Sequence, residues 1–434
     1  MTTTTRFQTR PLVRAVALAG LPLVTMGSGS ALAQGSELEE LRQRVQQLES
    51  RLEVPAESKM EEENNYLRRD GNGIRIGSTT VTIGGFIKAD VLAGSNGNGW
   101  ENAYSVGLAR SFANAAKNGE SDWKTGFSAR ETRLSLATKT LDVAGHDLTT
   151  YLEMDFNQGA DAPGNEVVSN SYAPRLRQAY GSWNNWDFGQ THTTFSELAA
   201  LPEILDQGKQ AAFIYTRQPM VRYNMAAPGG KLMVALENPE DGFGSNSYDD
   251  QSYPDLVARY QLRNSYGIYS IAGLLRSLED DAADETEVTG AVSVSARIPT
   301  VGRDDLKLQY NYGALGRYIG LFTYPDVDLA AQAGGDVKPL KSYGATAAYR
   351  HHWNPNWRST LSVSHLEIVD DLEASPAGTL SYFDTSTSVH ANLLWSAHPK
   401  LTLGLEYAYW DFGEIATSSR EQYEQVMGSA TLRF

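Results

Sequence analysis

The chain has no cysteine at all, and past residue 33 it has no long apolar run. Without cysteine an exported chain of 434 residues cannot rely on disulfides, and a closed, fully hydrogen-bonded barrel does not need them. Without apolar runs of roughly 20 residues a helical membrane protein is excluded. Positive charge is also in deficit: 37 Lys and Arg stand against 52 Asp and Glu, a formal net charge of -15. That balance argues against a nucleic-acid partner. What remains is rich in Gly (39), Tyr (22) and Trp (8) at only 41% hydrophobic residues, which fits an exported β-protein.

The first 33 residues carry an export pattern. Arg6, Arg10 and Arg14 precede an apolar core over 15–26, broken by Pro22, and Ala31-Leu32-Ala33 supplies a small-x-small cleavage site. Residues 1–33 are therefore expected to be a signal peptide cleaved after Ala33. Residues 34–54 follow with Leu38, Leu41, Val45, Leu48 and Leu52 at spacings of three and four. This is a heptad seam, and Glu37 with Arg42, or Arg44 with Glu49, would pair in sign between parallel helices. The expectation is a short periplasmic α-helical coiled coil that self-associates, ended by Pro55. Leu-rich seams of this kind leave dimer and trimer open. Residues 55–79 read as a polar linker and barrel entry.

From residue 80 to residue 434 the period changes to two. Val81, Ile83, Ile87, Ala89 and Val91 alternate with Thr82, Lys88 and Asp90, and the runs 147–156, 288–298, 306–317, 357–363, 389–395 and 401–409 repeat the pattern. Alternation alone also suits a soluble sandwich. Three features favour a membrane. Tight turns at 184–185, 264–266, 299–303, 354–356 and 398–399 alternate with long polar stretches at 238–253, 278–287, 319–340 and 367–385. Aromatic residues (Trp353, Trp357, Tyr407, Tyr409, Trp410) gather at strand ends, as an interfacial girdle requires. The chain also ends on the alternating Val426, Gly428, Ala430, Leu432 and Phe434. The predicted fold is an all-β membrane protein: a transmembrane antiparallel β-barrel of about sixteen strands.

The run from Thr82 through Gly84, Gly85, Phe86 and Lys88 to Asp90, followed by Glu153-Met154-Asp155-Phe156, Arg175-Leu176-Arg177-Gln178-Ala179-Tyr180 and Phe188-Gly189-Gln190-Thr191, resembles the DcaP-like family of trimeric porins. The resemblance covers nearly the whole mature chain, although Phe86 and His192 depart from the Tyr and Trp of the family pattern. It implies a sixteen-stranded homotrimer in the outer membrane that passes small organic anions, dicarboxylates among them.

Parity assigns the lumen. Opposite the apolar face lie Lys88, Arg133, Arg222, Arg259, Arg276, Arg297 and Arg317, with Arg175 and Arg177 on a strand whose faces are less distinct. Arginine suits anion passage because its planar fork binds carboxylates and stays charged. The competing reading pairs these cations with Asp90, Glu131, Glu153 and Asp155, so that strands two to four form a charge ladder. The segment 196–212, carrying Glu197, Glu203, Asp206 and Lys209, is expected to fold inward as a constriction loop, with Ser196 capping a short helix; an ordinary external loop is the alternative.

Acidic groups at Glu240, Asp241, Asp249 and Asp250, at Glu279, Asp280, Asp281, Asp284, Glu285 and Glu287, and at Asp370, Asp371 and Glu373 are expected in external loops beside lipopolysaccharide. They read as solvated, or as divalent-cation ligands at the anionic leaflet. His351 and His352 read as a solvated turn pair. His390 near Ser388 does not make a catalytic set, and neither enzymatic activity, a cofactor nor a protein metal site is expected. Two functional alternatives stand beside the anion porin: an envelope tether acting through the coiled coil, and a general or cation-preferring porin.

Overall fold

The computed structural model describes residues 67–71, 73–95, 123–157, 172–206, 210–212, 214–240, 252–280, 285–319, 329–331, 337–369, 383–414 and 420–434. Of residues 1–66 only Gln43 is described, so the signal peptide and coiled coil lie outside the described residues, as does Lys209. The residues assigned to a polar linker include an antiparallel hairpin, Leu67–Asp70 with Gly73–Ile76, whose second arm pairs with the first barrel strand.

The barrel strands are β1 (Thr79–Gly94), β2 (Lys124–Ser128 and Arg133–Val143), β3 (His146–Asp155), β4 (Arg175–Trp183), β5 (Trp186–His192), β6 (Arg217–Ala227), β7 (Gly230–Glu237) and β8 (Asp255–Asn264). They continue as β9 (Gly267–Asp280), β10 (Glu285–Pro299), β11 (Asp305–Gly313), β12 (Ser342–His352), β13 (Trp357–Ile368), β14 (Phe383–His398), β15 (Leu401–Glu414) and β16 (Arg420–Arg433). Each pairs antiparallel with the next, and β16 returns to β1 with Ser429 opposite Asp90 and Leu432 opposite Ile87. The sheet has closed, so no edge is left with unpaired backbone groups for lipid to meet.

Between β1 and β2 the ladder is interrupted. Asp90 faces Ser128 and Phe86 faces Arg133, so the β2 side holds one extra residue. The bulge bends the strand and brings Glu131 onto the Lys88 ammonium.

Alternation sorts the two faces. Ile83, Ile87, Phe127, Val292, Val294, Leu361 and Leu405 are exposed on the outside, while Lys88, Asp90, Arg276, Ser362, Ser388 and His390 are buried inside. One end is closed by short turns, several of two residues, where Asn184, Gly145 and Gly229 take positive φ. Trp186, Tyr266, Trp353, Trp357, Trp395 and Phe434 lie exposed at that end, with Trp357 and Trp395 stacked at 5.6 Å. This is the periplasmic end of a transmembrane barrel.

Several loop boundaries differ from the sequence expectation. Residues 278–287 are not a long loop: Leu278 pairs with Glu287 and Asp280 with Glu285, because the alternation carries the hairpin on past the apolar band. The acidic Glu279, Asp280, Glu285 and Glu287 therefore belong to strands. The run 306–317 is a strand only to Gly313, which takes a φ of +125°. Ala314 to Ile319 then turns inward, with Leu315, Tyr318 and Ile319 buried. Arg317 accordingly reaches the interior from a 3-10 turn, Gly316–Tyr318, and not from strand parity. His351, whose side chain is 39% exposed, and His352 are both tied to one carboxylate. Asp304 accepts from His351 Nδ1 at 2.7 Å, the His352 backbone N–H at 2.7 Å and the Tyr349 hydroxyl at 2.9 Å.

Candidate functional site: the barrel lumen

The segment between β5 and β6 lies inside the barrel. It departs from the wall at Glu237 on β7, whose carboxylate accepts the Thr193 hydroxyl and the Thr194 N–H, each at 2.6 Å. Ser196 does not cap the following turn. Its hydroxyl donates to the Ile214 carbonyl at 2.7 Å, and Glu197 caps instead, accepting from Ala199 N at 3.0 Å. Among the described residues of the segment the regular piece is a single 3-10 turn, Leu198–Ala200, because Pro202 lacks the N–H that would continue it.

Beyond Pro202 the segment crosses to the opposite wall. Glu203 meets Arg350 on β12 and Arg358 on β13, and its carbonyl accepts Asn392 Nδ2 from β14 at 2.8 Å. The backbone N–H groups of Leu205 and Asp206 donate to Glu406 on β15 at 2.7 and 3.2 Å. Asp206 accepts Gln425 of β16 at 3.0 Å. On the way back, Ala211 N and Ala212 N donate to the Ser388 and Ser364 hydroxyls at 3.1 and 3.0 Å.

Apolar packing accompanies these bonds. Leu205 clusters with Leu92, Leu394 and Met427, while Phe195, Ala212 and Ile214 join Leu315, Tyr318 and Ile319 against β8 to β10. The wall makes room with glycine: a Cβ on Gly404 would stand 2.8 Å from Leu205, and one on Gly344 2.7 Å from the Ala212 methyl.

All nine cations assigned to the lumen face the interior, and each meets a carboxylate. Lys88 binds Glu131, Asp90 at 3.2 Å and the Leu205 carbonyl. Across β2 to β4 a ladder forms: Arg133 is 3.9 Å from Glu153, Arg177 spans Glu153 at 2.7 Å and Asp155 at 2.6 Å, and Arg175 forks onto Asp155 at 2.9 and 2.7 Å. Arg222 binds Asp187 at 2.8 Å; Arg276 and Arg317 share Asp255 at 3.3 and 2.9 Å; Arg297 takes Asp305 at 3.0 Å. Arg259 holds the Ser196 carbonyl and stands 4.0 Å from Glu197.

Strand parity alone would also have found Arg350 and Arg358, which share a face with Thr346 and with Ser362 and Ser364. It would likewise have found Lys307, which donates to the Leu201 carbonyl, and Glu406. Arg217, at the first residue of β6, makes no ion pair among the described residues, and its buried Nη1 lacks a partner.

The pairs are asymmetric in depth. The Arg175 side chain is 27% exposed against 1% for Asp155, Arg297 40% against 2% for Asp305, and Arg317 13% against 1% for Asp255. In these pairs the carboxylate is sunk against the wall and the guanidinium covers it.

A closed sixteen-stranded barrel, apolar outside and charged within, crossed by an inward loop, is an outer-membrane porin-type channel. The family model described as DcaP outer membrane protein matches residues 69–422, and the chain belongs to that family. Among solved structures, the outer-membrane channel DcaP of Acinetobacter baumannii aligns at a TM-score of 0.69 and 21% identity, over 85% of this chain and 99% of that one. An anion-selective porin from Comamonas acidovorans aligns at 0.52 and 12% identity over 82% and 100%, and a Salmonella typhi OmpF complex with daunomycin at 0.54 and 12% over 82% and 98%. At these identities the structures speak to the fold alone. No curated protein matches the chain.

Proposed function

We propose that the channel prefers small organic anions, dicarboxylates among them, and that it works as a homotrimer. The observation that carries this reading is the depth asymmetry of three lumen ion pairs, Arg175–Asp155, Arg297–Asp305 and Arg317–Asp255. A solute moving along the wall meets guanidinium groups first, with their counter-charges behind them, and Arg217 adds a cation without a paired acid. Planar forks exposed in this way bind and pass carboxylates. The loop from Thr193 to Thr216 narrows the passage, since it is tied to strands on both sides of the lumen. The Comamonas structure with this fold is itself described as anion-selective, in line with the reading. The acidic surface does not oppose it, because fields from exposed charges fall away within about 8–10 Å at physiological salt.

Liposome swelling tests the preference. Vesicles carrying the protein are expected to swell faster in succinate than in 1,4-diaminobutane, a dication of similar length. Equal or reversed rates would contradict it. Chemical cross-linking in detergent should give a trimer as its largest species.

A further inference from the structure

Among the described lumen ion pairs, those of Glu203 reverse that order of depth by the widest margin. The Glu203 side chain is 30% exposed, while its partners Arg350 and Arg358 are each 19% exposed, so here the acid lies over the arginines. Its geometry is that of a bound solute. Arg358 Nε and Nη2 fork onto the two carboxylate oxygens at 2.9 and 2.6 Å, and Arg350 Nη1 adds a third contact at 3.2 Å.

These groups line a cleft of about 510 Å³ at the short-turn mouth of the barrel, together with Arg297, Arg303 and Ser396. Four guanidinium groups thus converge there, with Glu203 and Asp305 as the carboxylates bound to them. Arg303, exposed on the turn after β10, makes no ion pair among the described residues. Arg350 keeps its buried Nε without a hydrogen-bond partner.

We infer that this cleft is a carboxylate-binding site at the periplasmic mouth and that Glu203 is its tethered occupant, displaced by an incoming solute carboxylate. The inference deepens the anion reading above and rests on it. Displacement is local: the Asn392 bond to the Glu203 carbonyl and the Glu406 bonds to the Leu205 and Asp206 amides remain, so the loop stays docked while the side chain swings away. Glu203 would then set the affinity of the mouth by competing intramolecularly with the solute. An arginine site relieved of its competitor holds a carboxylate by charge-assisted bonds of the stronger kind.

The test is single-channel block in planar bilayers, with succinate added to the periplasmic side at fixed ionic strength. Glu203→Gln is expected to tighten succinate block about tenfold relative to the unmodified chain, and Arg303→Gln to weaken it about threefold. Equal dissociation constants for the unmodified and Glu203→Gln channels would overturn the proposal. If Glu203→Gln does not assemble, Arg303→Gln decides, since it lies outside the loop contacts: weaker block supports the site and unchanged block overturns it. The zero-current potential separates the two readings. Unchanged block in a chloride-preferring channel removes the site and leaves the anion porin, whereas a potassium-preferring channel removes both.

Discussion

Buried charge in the lumen works through shared hydrogen bonds. Arg177, whose side chain is only 4% exposed, holds Glu153 and Asp155 together and donates to the Tyr215 hydroxyl at 3.1 Å. Removing it leaves two carboxylates facing each other with one partner fewer. Arg177→Ala should cost about 3–5 kcal/mol, read as a lower urea midpoint in detergent micelles. Arg177→Lys should not restore it, since a point ammonium cannot span two acids as the fork does. Glu203 makes a different claim. Burial raises its carboxyl, but hydrogen bonds and charge from Arg358 and then Arg350 outweigh burial and hold it below the usual range. A depressed acid contributes its stabilisation fully above its unfolded value of about 4.3 and loses it as pH falls through the folded value. The Glu203 tie should therefore be constant from pH 8 down to the ordinary carboxylate range and fail only below it. Conductance against pH should show an acid step that is absent in Glu203→Gln; such a step between pH 5.5 and 7 would contradict the geometry.

The inward loop is held by wall chemistry more than by its own. Glu406 receives two of its amides and Gly404 receives Leu205, so the two positions probe its docking separately. Gly404→Leu should push the loop off β15, changing single-channel conductance while heat-modifiable migration on gels shows an intact barrel. Glu406→Gln, which keeps the shape but loses the charge, should raise open-channel noise with a smaller change in conductance. This element also marks what was legible in the sequence. Strands read well because lipid outside and water inside impose a strict period of two, and the inward positions of Lys88, Arg222 and Arg276 follow from Val91, Val221 and Leu275 on the other face. The loop has no period. Its location after the fifth strand and its acids were visible, but Glu197 replacing Ser196 as the cap depends on Ile214 arriving nearby. The inward fold after Gly313 was missed for the same reason, since Leu315, Tyr318 and Ile319 bury themselves against the loop and not against their own strand.

The molecule as a whole carries a net charge of -15, yet its interior presents guanidinium groups to the passage. The two are compatible because the barrel wall separates an outer apolar band from a lumen in which Asp155, Asp305 and Asp255 are sunk behind Arg175, Arg297 and Arg317. The heptad segment over 34–54 is proposed to serve assembly and not permeation. Deleting residues 37–53 should leave the conductance per pore unchanged and weaken cross-linked trimers; loss of cell-wall association with normal trimers would point to a tether instead. The central claim is that buried acids and covering arginines make the lumen attractive to anions. It is tested most directly by the zero-current potential of the purified protein in a planar bilayer under a KCl gradient. A potential of the sign that marks chloride preference is expected. A potential marking potassium preference would mean that the carboxylates set the field, and would contradict the claim while leaving the barrel itself in place.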